Sequence, residues 1–159
     1  MTGTEKNFAE LSGELREING ALSALTARLK ALGGRADSVS RQLKRGIAVR
    51  DLEFENDFRQ FVEDFRELAE EAGDFWKAAA PSALRKKSET SGARGFSAQV
   101  KAASAAAAEF ASALRYFNSL VKDSALKLNC WELDALASDL SHSCGKAPLL
   151  ARELSKTYD

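Results

Sequence analysis

An unbroken three-four spacing of apolar residues is the feature that most constrains this chain. From Phe8 it runs through Leu11, Leu15, Ile18, Leu22, Leu25, Leu29 and Leu32. Steps of three and four keep returning to one side of a helix with 3.6 residues per turn. All eight side chains therefore share one stripe, as the a and d positions of a heptad do. The residues between them are polar, charged or small. This predicts a first helix from Phe8, with Gly33–Gly34 as its stop, because glycine tolerates the left-handed conformation that ends helices.

The same period recurs further on. Asp37 or Ser38 is placed to cap a new pattern, which is marked by Val39, Leu43 and Ile47. Phe54, Phe58, Phe61, Phe65, Leu68, Ala72 and Phe75 follow without a missed step. One helix over 37–80 would be about 65 Å long at 1.5 Å per residue, far longer than the first. A break near Gly46 is therefore expected, giving a short connecting helix over 37–47 and a main helix from 50 to 80. Pro81 should end the latter, since proline disfavours helical backbone in the residue before it.

Residues 82–94 are polar, with Gly, Ser and Thr and no apolar period, and read as a mobile loop. A third helix carries Phe96, Val100, Ala103, Ala107, Phe110, Leu114, Phe117 and Val121. Its centre, Ala102 to Ala108, is alanine except for Ser104. Small side chains opposite the large rings of the second helix would account for that composition. Asn129 and Glu132 are spaced as a capping box for a last helix bearing Leu133, Leu136 and Leu140. Gly145 and Pro148 interrupt it, and Leu150 and Leu154 resume the period in a final piece over 147–157.

No segment alternates with a period of two, so no sheet is expected. Residues 1–159 fit a single domain, large enough to bury a core without disulfides or metal. The expected fold is all-α: an antiparallel up-down bundle of four long helices with coiled-coil-like heptads. Short connections should make consecutive helices antiparallel neighbours.

The residues offer little for chemistry. His142 is the only histidine, so di-iron sites built on paired Glu-x-x-His motifs lack their ligands, as do zinc hydrolases with two or three histidines. Cys130, His142 and Cys144 could supply three zinc ligands, but within a helix a His-x-Cys pair points about 200° apart. Burial as small hydrophobes is the simpler account of both cysteines. No phosphate loop is present, and the acidic residues of helix 2 surround its aromatic stripe as a solvated face would. The expectation is a non-enzyme with no cofactor and no metal site.

Formal net charge is zero, which gives no general reason to expect nucleic acid or an anionic membrane. No basic segment leads into an apolar run at the N-terminus, and no uncharged apolar stretch approaches eighteen residues. With two cysteines only, the expected location is the reducing cytoplasm. Charge is nonetheless sorted by segment. Arg28, Lys30, Arg35, Arg41, Lys44, Arg45 and Arg50 are opposed only by Asp37, whereas 51–74 holds ten acidic residues against Arg59 and Arg66.

Two explanations compete for this sorting. Basic and acidic helices can neutralise one another within the fold. Alternatively, Arg41, Lys44 and Arg45, which share a helix face, join Arg85, Lys86 and Lys87 in a surface for a partner. Val62, Trp76 and Tyr116 lie off the seams; Trp76 would staple the end of its helix into the core, the commoner case, or mark a contact surface, since Trp is enriched at binding hot spots. The expected function is a protein–protein interaction or assembly module acting through helix–helix docking, on a protein partner or on itself. The alternative is a helical subunit that binds a nucleic-acid backbone through the basic patches. No small-molecule substrate is evident.

Overall fold

Asn7 opens the first helix. Its side-chain oxygen accepts the Glu10 backbone N–H at 2.9 Å, closing an N-cap. The helix that follows, α1 (Phe8–Lys44), is 37 residues long, or about 55 Å. The computed structural model describes residues 7–46, 52–85, 93–122, 131–145, 147–150 and 152.

α1 does not stop at Gly33–Gly34, and no separate connecting helix forms over 37–47. Neither glycine takes the left-handed conformation; among described residues only Gly46 has a positive φ, at 79°. Two mid-helix glycines cost about 1 kcal/mol each relative to alanine. The seam continues across them, however, through Ala36 and Val39, both buried. Packing outweighs propensity here. Asp37, expected as a cap, instead pairs with Arg41 one turn on, at 2.9 Å. The expected break near Gly46 is present: the Arg45 N–H bonds back to the Arg41 and Gln42 carbonyls, and Gly46 turns the chain.

α2 (Leu52–Arg85) carries the aromatic seam and continues through Pro81. Proline removes one backbone donor and crowds the preceding turn, at a cost of about 3 kcal/mol. Adding a turn to an existing helix needs no new nucleus, so the helix can propagate past it. The loop expected over 82–94 is therefore helical at 82–85 and again from Ala93, and residues 86–92 lie outside the described residues. α3 (Ala93–Lys122) and α4 (Trp131–Cys144) complete the set. α4 is the shortest at 14 residues; Gly145 turns the chain, and 147–150 are helical again. Asn129 and Leu154 lie outside the described residues.

The fold is an all-α bundle, with no strand among the described residues. Cross-helix pairs give the directions. Arg28 meets Asp64 and Arg35 meets Asp57, so α1 and α2 are antiparallel. Asn19 meets Gln99, and Lys30 meets Glu109, so α1 and α3 are parallel. Arg66 with Glu132 and Gly73 with Ser143 make α2 and α4 parallel. Directions thus alternate along the chain, as the loops require.

Neighbour relations are less obvious. The most extensive backbone packing is between the parallel pair α1 and α3; α2 packs on α4 and on α1, and α3 on α4. α2 and α3, consecutive in sequence, meet through their rings: Phe58 on Phe117 at 5.8 Å, and Phe61 and Phe65 on Phe110 at 6.5 and 4.8 Å. These rings fill the centre of the bundle. Every apolar residue expected on the first seam is buried, from Phe8 to Leu32, and so are Phe54, Phe61, Phe65, Phe96, Phe110 and Phe117.

The α2 rings Phe58, Phe61 and Phe65 meet phenylalanines of α3, while Ala103 is buried in the core with Ala106 and Ala107 packed against it. Ala102–Ala108 lies between the Asn19–Gln99 and Lys30–Glu109 pairs, where α3 runs beside α1. Small side chains there let two backbones come close.

Candidate functional site

The segregated charge is engaged inside the fold at two points. Arg28 Nη1 lies 2.7 Å from Asp64 Oδ2 while its guanidinium sits 5.7 Å from the centre of the Phe61 ring. One heptad on, Arg35 Nη1 lies 2.5 Å from Asp57 Oδ2 and its guanidinium 5.6 Å from the Phe54 ring centre. The two clamps repeat because Arg28 and Arg35 are seven apart on α1, matched by Phe54-x-x-Asp57 and Phe61-x-x-Asp64 on α2. The aromatic face attracts the cation while the carboxylate neutralises it. Gln60 donates to the other oxygen of Asp64 at 3.0 Å. The Arg28 hydrogen bond, then that of Gln60, holds the Asp64 carboxyl below its ordinary pKa, against a smaller opposing effect of burial.

Of the basic candidates, Arg41, Lys44 and Arg45 are exposed at the C-terminal end of α1, and Arg41 is bound to Asp37. Cations there also meet the negative end of the helix dipole. Arg85 ends α2, but its side chain, with Lys86 and Lys87, lies outside the described residues. The expected joining of the two basic groups into one patch thus rests on side chains outside the described residues.

Trp76 is not a contact surface. It is 2% exposed and packs edge-on against Phe75 at 5.2 Å. The reason is a second apolar line on α2. Val62, Ala69 and Trp76 recur every seven residues, each directly after a seam residue, and all three are buried. They widen the apolar face so that α2 can seat α4 as well as α1. That line was present in the sequence and was masked by the stronger seam beside it.

The thiol and zinc candidates are not brought together by described residues. Cys130 lies outside them, as does the Cys144 side chain. His142 is exposed and lines a shallow groove between α2 and α4 with Ser138, Asp139 and Ser143. Among the described residues no three His, Cys, Asp or Glu side chains converge on a common point. No described helix is long and apolar enough to cross a membrane.

One surface remains that the apolar seams did not signal. The outward stripe of α1 reads Gly13, Arg16, Gly20, Ser23, Ala27, Lys30 and Gly34, again in steps of three and four, and all of it is exposed. Beside it on α3 runs Gln99, Ala102, Ala106, Glu109, Ala113 and Tyr116, with Tyr116 66% exposed. Lys30 Nζ and Glu109 Oε1, 3.4 Å apart, join the two stripes. Between Gly20 and Gly34 each stripe carries a single charge. The outward side of α2 is the opposite, with Glu53, Glu55, Asp57, Arg59, Glu63, Arg66, Glu67, Glu70, Glu71 and Asp74 all exposed.

The glycines of this face have no role inside the chain. A Cβ added at Gly13, Gly20 or Gly34 would meet nothing within 4 Å, and none of the three has a left-handed φ. Chemically the arrangement offers close contact and shape, with no convergent nucleophile, acid or metal ligand. The chain matches no known protein family, and no curated protein or solved structure is significantly similar to it.

Proposed function

We propose that this protein is a non-enzymatic assembly module, acting through helix–helix docking, whose α1–α3 face seats a second copy of the chain. The observation that carries the reading is the low-charge surface centred on the Lys30–Glu109 pair. Solvent-facing glycines inside a helix cost about 1 kcal/mol each relative to alanine, and nothing in the fold requires the three on α1. A second backbone approaching closely would give them a purpose. The occupant follows from charge. One cation beside one anion makes the centre of the face neutral and self-complementary, so that across a twofold axis each meets its opposite on the other copy.

The test is sedimentation velocity over a wide concentration range. Wild type should shift from monomer to dimer. Ala27→Glu, which places charge in the middle of the face, should remain monomeric with unchanged helicity. A wild-type protein that stays monomeric at millimolar concentration overturns the reading, as does an Ala27→Glu variant that dimerises normally.

The phosphate-backbone alternative has less geometric support, because Arg28, Lys30, Arg35 and Arg41 are all ion-paired. Nucleic-acid binding that weakens steeply with salt and is lost in an Arg41→Glu, Arg45→Glu double variant would favour it instead.

A further inference from the structure

α3 has a second flank with a different character. Where it meets the helical residues after Gly145, an apolar trough of about 570 Å³ opens to solvent. Val100 and Ala147 form its buried floor, Ala105, Ala108 and Pro148 its exposed walls. Lys101 stands on one wall and Arg152 on the other, both exposed. Neither cation is ion-paired among the described residues, unlike the arginines of the α1–α2 clamps. The trough exists because the side chains lining it are short. Two of the six alanines in the run noted in the sequence, Ala105 and Ala108, face this way.

From these features we propose that the α3 trough is a binding site for a medium-chain acyl carboxylate. The volume is that of a small-ligand site, mostly apolar with a few polar groups to fix orientation. From Val100 to Ala108 the α3 wall is about 12 Å long, which suits a single extended alkyl chain. Lys101 and Arg152 supply the complement to one carboxylate, and no Asp or Glu is among the described residues that line the trough. The proposal is independent of the dimer face, which lies on the other flank of α3.

The experiment is calorimetric titration with octanoate, decanoate and decanol, with amide NMR to locate the site. Decanoate should bind once per chain, shift resonances of 100–108 and 147–150, and bind about two- to fourfold tighter per methylene than octanoate. Charge reversal in the Lys101→Glu, Arg152→Glu double variant should weaken decanoate about tenfold and leave decanol unaffected. Ala105→Leu, a substitution at an exposed position that fills the trough, should abolish binding while circular dichroism stays unchanged. Equal binding of decanol and decanoate, shifts centred elsewhere, or full binding by Ala105→Leu would each overturn the proposal. So would absence of decanoate binding to the wild-type protein, the result expected if another protein's helix is the true occupant of the trough.

Discussion

α1 makes two interfaces of opposite design. Toward α2 it offers long side chains, Arg28 and Arg35, laid over Phe61 and Phe54 and tied to Asp64 and Asp57. Toward α3 it offers a mixture, from the Phe8 ring 5.6 Å from that of Phe96 to the bare backbone of Gly33, and the backbone packing there is the most extensive in the bundle. Gly33 is buried on that side, with Phe117 and Leu120 carbons 3.7 and 3.6 Å from where its Cβ would be. The difference teaches that one helix can hold one neighbour through long charged side chains laid over rings and another through backbone left bare at a glycine. Chain order sets only their direction. It also shows where the sorted charge goes: the basic middle of α1 and the acidic start of α2 lie against each other.

The largest expected effect breaks the ring-filled centre. Phe65→Ala removes a fully buried ring 4.8 Å from that of Phe110 and should cost about 3–5 kcal/mol in urea unfolding. The close-packed side is tested by Gly33→Leu, which must displace Phe117 or Leu120 and should cost about 1–3 kcal/mol. Gly33→Ala meets those carbons only at ordinary contact distance, so its gain in helix propensity should leave stability equal or higher. If the leucine is accommodated without loss, the α1–α3 interface is looser than described.

On the outer stripe, Gly20→Ala and Gly34→Ala should each stabilise the monomer by about 0.5–1 kcal/mol. The smallest effect concerns the clamps. Asp64→Asn should cost less than about 1 kcal/mol at neutral pH, because the pair is partly exposed. The sign of its pH dependence follows from the depressed carboxyl. The stabilisation is present above the unfolded value of about 3.9 and is lost as pH falls through the lower folded one. Wild type and variant should therefore converge in strong acid; a gap that persists below pH 2 would assign the effect to packing.

Much of the fold was legible because a heptad seam is a local code. The whole first seam and most of the aromatic one are buried as the spacing required, and Gly46 turns the chain where the length argument placed a break. The boundaries at Gly33–Gly34 and Pro81 were not legible: the glycine stop competes with the burial of Ala36 and Val39 beyond it, and the proline stop with propagation of a helix already formed. The choice between core and contact surface for Trp76 was left open for a similar reason. A residue one step off a seam faces solvent on a two-sided helix but is buried on one that packs against two neighbours.

What the sequence determined by itself was periodicity: which residues line each helix, and hence that four helices must share a core. Tertiary structure decided who faces whom. That α1 packs on α3, that two arginines clamp two phenylalanine–aspartate steps, and that glycines on α1 and alanines on α3 are left facing water all depend on helix positions around the bundle. Spacing along one helix cannot encode those positions. They are set by fitting ring volume against close backbone approach across the whole core.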